Sequence, residues 1–227
     1  METPVRIPVR PPAEYSGPSA GAPARPAAGP AFELEGRLSQ GSAPGGAVIC
    51  HPHPVYGGTM DTPVVQVMAE VCRKVGAATL RFNFRGVGKS GGRYGNGTGE
   101  AEDVIAAVSF LRNSGHPRIA VLGYSFGAWA AALAGGRLAD ADLLILVSPP
   151  IHLLDFRGIK NLPALGAVIA GDDDEWASEA GLRAMIPDWN PQAELILLPY
   201  TDHFYSGSLD VLSGALSPLI SSLFPSA

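Results

Sequence analysis

Gly123-Tyr124-Ser125-Phe126-Gly127 sets a serine between two glycines, directly after the apolar run Val121-Leu122 and ahead of a run of small residues beginning at Ala128. A serine hydroxyl is a weak nucleophile at neutral pH. Acyl chemistry at Ser125 therefore requires a base to take its proton, a group to orient that base, and N–H donors for an oxyanion. A glycine-flanked serine alone is weak evidence, because a tight bend with a solvated serine reads the same way. Here the context is a strand running into a helix, which is what a nucleophile elbow needs to project its hydroxyl from the carboxyl edge of a sheet. Partners of such a serine follow in the order acid, then histidine. Of the five histidines, His51 and His53 precede the serine, His116 lies before its strand at the opposite edge, and His152 precedes the acidic run. Only His203, in Tyr200-Thr201-Asp202-His203-Phe204, satisfies the order. For the acid, Asp172, Asp173, Asp174 and Glu175 all stand in one turn, and composition does not choose among them.

The oxyanion requires two N–H groups, one expected from Phe126, directly after the nucleophile. The other is expected from His51-Pro52-His53-Pro54-Val55-Tyr56-Gly57-Gly58, where Pro52 and Pro54 have no N–H to give. That leaves His53, Val55, Tyr56 or a glycine, with His53 the first choice. Tyr56 and Tyr124, beside these groups, are expected at the substrate. His51 and His53 lack further ligands at metal spacing, so neither a metal nor another cofactor is expected. Gly86-Val87-Gly88-Lys89-Ser90 ends like a phosphate-binding loop, but the first glycine of that motif would fall at Asn83, which argues against nucleotide binding.

Several elements must position these residues. Val5, Ile7 and Val9 alternate within residues 4–10, where Pro4 and Pro8 suit an edge strand, and Phe32, Leu34 and Leu38 mark a second strand. Between them, residues 11–30 are Pro/Ala/Gly-rich and read as a flexible connection without chemistry. Ala47-Val48-Ile49-Cys50 is an apolar strand buried on both faces. Val64, Val67, Met68 and Val71 give a helix over 62–74, stopped by Gly76. A strand over 77–84 and a Gly-rich loop lead to a helix with Glu100, Glu102 and Asp103 in its first turn and Val104, Ile105, Val108 and Leu111 as its inward stripe. Strands at 119–123, 143–147, 164–170 and 194–198 alternate with helices at 128–134, after Glu175 to about Met185, and from Leu209 to Leu223, the last containing Pro218. Only a short helix fits in 148–163. Strands separated by crossover-length connections imply a doubly wound, mostly parallel sheet of seven or eight strands with helices on both faces.

Length and balance agree with one domain over residues 1–227: the chain is 46% hydrophobic and 16% charged. Its net charge of −5, without a Lys/Arg cluster, gives no footprint for nucleic acid or an anionic membrane. Cys50 and Cys72 read as two buried thiols in a reducing compartment, and the first ten residues carry no apolar core for a signal peptide or anchor. A cytoplasmic protein is expected.

Three stretches in order, residues 51–61, 80–90 and 123–127, resemble the α/β-hydrolase superfamily. Within it they are similar to the small lidless predicted hydrolases related to dienelactone hydrolases and serine peptidase-like esterases. The resemblance covers about residues 32–224. It implies that the acid sits three residues after the glycine ending its strand, which from Gly171 selects Asp174 over Asp172. It also implies an open site without a cap domain and a carboxylesterase acting on small acyl esters through Ser125, His203 and Asp174. A peptidase or amidase of the same fold, or a non-catalytic binding protein, is the alternative. Residues 11–30 stand outside the resemblance.

Overall fold

In a computed structural model that describes residues 1–9, 31–138 and 140–225, eight strands form one sheet. They are β1 Glu2–Val9, β2 Phe32–Ser39, β3 Gly45–Cys50, β4 Ala78–Phe82, β5 Arg118–Tyr124, β6 Leu143–Val147, β7 Leu165–Gly171 and β8 Glu194–Leu198, in the order β1-β2-β4-β3-β5-β6-β7-β8. β1 and β2 run antiparallel to their neighbours and the other six strands are parallel. Because β3 and β5 pair centrally, the carboxyl ends of both point to the same edge, and β6, β7 and β8 deliver their following loops there as well.

Five helices cover the two faces: α1 Pro63–Lys74, α2 Thr98–Asn113, α3 Phe126–Ala134, α4 Glu179–Trp189 and α5 Leu209–Leu223. Strand residues alternate between the faces. Val48 and Val121 pack under α2, α3 and α4, while Ile49 and Leu122 pack under α1 and α5. Both faces of β3 are buried, as its run of apolar and glycine residues requires. α3 approaches closely because its buried positions are mostly alanine.

Three expectations are corrected in detail. β4 ends at Phe82 rather than Phe84, because the Phe84 N–H leaves the ladder for the His51 ring. α4 runs past Met185 to Trp189, since Asn190 N–H reaches back to Ile186 O and closes the turn beyond Pro187. No helix forms among residues 148–163, where Pro149 and Pro150 open a run of turns instead. Glu100 and Asp103 do not simply complement a helix dipole. Glu100 accepts the Gly95 and Gly97 N–H groups, and Asp103 is held by Arg85, both carboxylates buried. The Pro/Ala/Gly-rich segment 11–30 lies outside the described residues. No helix among the described residues is long and apolar enough to cross a membrane.

Candidate active site

β5 turns into α3 at Ser125, whose φ of 54° and ψ of −118° lie in a region that side chains rarely occupy. Such a conformation costs of order 1–3 kcal/mol and persists only where the surroundings impose it. Here the surroundings are backbone. A Cβ at Gly123 would run into Gly127 O, and one at Gly127 would run into Cys50 O. The two glycines of the motif therefore let the strand, the helix and the end of β3 meet with Ser125 at the apex. Ser125 N–H donates to Val147 O at 2.9 Å, which pins the turn to the neighbouring strand.

The loop after β8 brings His203 over this apex. Its Nδ1–H donates to Asp174 Oδ1 and Oδ2, both at 2.9 Å, which leaves Nε2 to accept from Ser125 Oγ at 2.9 Å. Asp174 follows Gly171 by three residues on the loop after β7, and its oxygen Oδ1 also accepts the N–H groups of Trp176 and Ala177. Burial alone would raise the Asp174 carboxyl. The hydrogen bond and charge of His203, helped by Ser148 and the Trp176 N–H, instead hold it below the ordinary aspartate value, so it stays ionised beside the imidazole. The other acids of the turn are placed differently. Asp172 Oδ1 accepts Thr201 N–H at 3.4 Å, and Asp173 and Glu175 are exposed.

The backbone N–H groups beside Ser125 divide into those taken by a protein acceptor and those left without one. In α3, Ala128 and Trp129 N–H both turn back to Ser125 O, while that of Phe126 donates to no protein group. In the loop after β3, Val55 N–H is taken by His53 Nδ1, and Tyr56 and Gly58 N–H are both taken by His53 O. Of the candidates named from sequence, that leaves the N–H of His53, which precedes the short 3-10 turn Pro54–Tyr56, without a protein acceptor. His51 holds this loop: its Nε2 accepts Phe84 N–H at 3.0 Å and its Nδ1–H donates to Pro52 O at 2.6 Å. Burial pushes His51 down to about 4, so the ring is neutral. His53 is likewise lowered by burial. Since its Nδ1 accepts, its Nε2–H donates to Tyr94 Oη at 3.3 Å.

Ser125 stands at the floor of a cleft of about 400 Å³. Its walls are His53, Tyr56 and Phe126 on one side and Pro150, Leu153, Leu154 and Trp176 on the other. Tyr56, largely exposed, is one of the lining residues. Tyr124 is not at the cleft: it is buried beneath the histidine loop, where its hydroxyl donates to His203 O at 2.9 Å. Alternation explains the burial of Tyr124, which points with Ala120 and Leu122 to the α1/α5 face, whereas Phe126 stands past the elbow as the first residue of α3 and packs on the other face. The sequence reading missed three residues here. Trp176 packs its ring 4.5 Å from His203. Ser148, at a φ of 45°, shares a 3.0 Å hydrogen bond with buried Tyr205 behind Asp174. The run Ser148-Pro149-Pro150 directly after an apolar strand was the available signal for an irregular, functional strand end.

No family model matches the chain. It is 33% identical over 201 residues to an uncharacterized protein of Rickettsia prowazekii (strain Madrid E), covering 83% of this chain and 84% of that one. Among solved structures, it is similar to an α/β serine hydrolase homologue from Coxiella burnetii, with 32% identity and a TM-score of 0.76 over 83% of this chain and 92% of the other. A lidless α/β serine hydrolase from Xanthomonas campestris superposes with a TM-score of 0.78 at 29% identity, over 86% of this chain and 91% of its own.

Proposed function

Because the chain belongs to the α/β-hydrolase superfamily and is a hydrolase of that lidless fold, we propose that it is a serine carboxylesterase working through Ser125, His203 and Asp174. The observation that carries the reading is the unbroken line from Asp174 through His203 to Ser125 Oγ, each step at 2.9 Å, ending at the floor of an apolar cleft. In the proposed reaction Ser125 Oγ attacks the ester carbonyl carbon while His203 Nε2 takes its proton. The carbonyl oxygen becomes an oxyanion and is met by the Phe126 N–H and, from the loop after β3, the His53 N–H. The tetrahedral species then expels the alcohol, which receives the proton from His203, and leaves an acyl group on Ser125. Water, deprotonated by the same nitrogen, attacks that acyl carbon and frees the acid. Asp174, ionised and fixed, holds Nδ1–H and stabilises the imidazolium formed in each half. No step calls on a cofactor.

The cleft lining carries no charged side chain that could hold a peptide terminus, which favours an ester over a short peptide as substrate. Free, buried Cys50 and Cys72 support a cytoplasmic setting. The test compares hydrolysis of p-nitrophenyl acetate and butyrate by the purified protein and by Ser125→Ala, together with fluorophosphonate labelling mapped by mass spectrometry. Loss of turnover in the variant and an adduct on Ser125 are expected. Equal rates, or no adduct, would leave a non-catalytic binding protein as the better reading.

A further inference from the structure

Six large apolar side chains are more than half exposed among the described residues: Met1, Val55, Tyr56, Leu153, Tyr200 and Phe204. Scattered apolar residues on a surface need no explanation, but contiguous ones mark a contact. Five of these six stand on the loops after β3, β6 and β8, the loops that meet over Ser125. Tyr56 and Leu153 line the cleft itself, and Val55 adjoins Tyr56. The Phe204 ring lies 5.4 Å from that of Trp176, which also lines the cleft. The apolar lining therefore continues out of the cleft and over its rim.

Charge narrows what lies on that rim. The exposed acids Asp172, Asp173 and Glu175 share this edge, and the cations of the loop after β6 are occupied, Arg157 by Asp155 and Lys160 by Asp188. On the loops after β6, β7 and β8 a carboxylate-ended acyl group or an anionic lipid surface would meet acids and, among the described residues, no unpaired cation, the exposed Arg93 standing instead on the loop after β4, whereas a neutral hydrocarbon would find the apolar side chains of Leu153 and Phe204. Size gives a second bound. At roughly 30 Å³ per water-sized group, the cleft holds about a dozen heavy atoms, among them the ester and part of the alcohol. A chain of about eight carbons fills it, and a longer one must leave it across Leu153 and Phe204.

Resting on the serine-esterase reading, we propose that the site takes esters of neutral acyl chains longer than the cleft, on the order of twelve carbons, with the outer methylenes lying on the Leu153 and Phe204 rim. Each methylene removed from water is worth about fourfold in binding, so partial cover of a few methylenes gives a readable preference. The experiment measures kcat/KM for p-nitrophenyl acetate, octanoate and dodecanoate below the critical micelle concentration of the ester. It uses the full chain and the double variant Leu153→Ser/Phe204→Ser, whose folding is checked by thermal melt. The dodecanoate-to-acetate ratio is expected to exceed one by roughly tenfold or more in the wild type and to fall by about as much in the variant. A measurement that needs no variant runs beside it: 1-dodecanol is expected to inhibit acetate hydrolysis competitively at far lower concentration than 1-butanol. A wild-type ratio of one or below, or a ratio unchanged in a folded variant, overturns the proposal, while an adduct on Ser125 would leave the esterase reading standing. A dodecanoate rate that rises only above the micelle concentration overturns it in favour of docking to an aggregate surface. Absence of both hydrolysis and adduct removes the two readings together.

Discussion

Two of the loops that meet over Ser125 each carry a buried histidine, and they use the same ring in opposite ways. After β3, His51 spends both nitrogens on backbone groups, Phe84 N–H and Pro52 O, neither of which exchanges protons at ordinary pH. After β8, His203 spends both nitrogens on side chains, Asp174 and Ser125, that can hold or release a proton. The first arrangement fixes a loop and the second forms a proton path. What separates a scaffold histidine from a proposed base is therefore the chemistry of its two partners, not its burial, since both rings are almost wholly covered.

That contrast predicts how each loop fails. Replacing His203 by alanine should lower kcat for p-nitrophenyl acetate by about 10⁴-fold or more while the denaturant midpoint changes little. A comparable loss of stability would show that the β8 loop, too, is chiefly scaffold. Next in size is Asp174→Asn. The neutral amide cannot hold the Nδ1–H tautomer as a carboxylate does, so kcat should fall by about 10³- to 10⁴-fold at pH 7. Asp172→Asn keeps an oxygen for Thr201 N–H and should stay within a few-fold of wild type. If the two aspartate variants lose equal activity, the assignment of the acid is wrong. The β3 loop is expected to act through backbone. At a φ of −56°, His53 already has the angle that proline imposes, so His53→Pro removes the N–H without forcing a new turn. His53→Ala removes only the ring. The proline variant should be slower in kcat than the alanine variant by about 10²- to 10³-fold, the usual value of one oxyanion donor. Equal kcat in the two would show that the His53 N–H is not the second donor.

The contrast also explains what could be read from residue order. Ser125 and His203 were legible because the elbow needs glycine at 123 and 127 for backbone clearance and because only one histidine follows the last strand. The sheet and its helices were legible for the same kind of reason: period and strand–helix alternation carry across the whole domain. Asp174 was not separable from its neighbours by composition. Four adjacent acids look alike, and what distinguishes them is which one faces His203, a property of loop geometry that only the superfamily spacing anticipated. Tyr124 was placed at the substrate on proximity to Ser125 in sequence, but the side chain before an elbow points to the opposite face of the sheet. Ser148 had a local signal in the two prolines that follow it, but its partners did not: it meets Tyr205 and Asp174 through contacts 57 and 26 residues apart, which no local pattern marks.

The smallest expected effect is one of pH, and it tests the scaffold half of the comparison directly. His51 titrates near 6.5 when unfolded, but burial pushes it down to about 4 in the folded chain. Between those values the unfolded state binds a proton that the folded state refuses, so stability falls as pH falls from about 6.5 to about 4. Above that window the contribution is complete. The full amount is on the order of 3 kcal/mol. Glutamine at position 51 can keep a donor and an acceptor but does not titrate. His51→Gln should therefore be less stable than wild type at pH 7, yet lose less between pH 7 and pH 4.5, by on the order of 2 kcal/mol in urea unfolding. His53 and His116, whose values burial also lowers, remain in both proteins and cancel in the difference. Parallel pH curves for the two proteins would mean that His51 is not held neutral by the fold, and the distinction between the two loops would then lie in position alone.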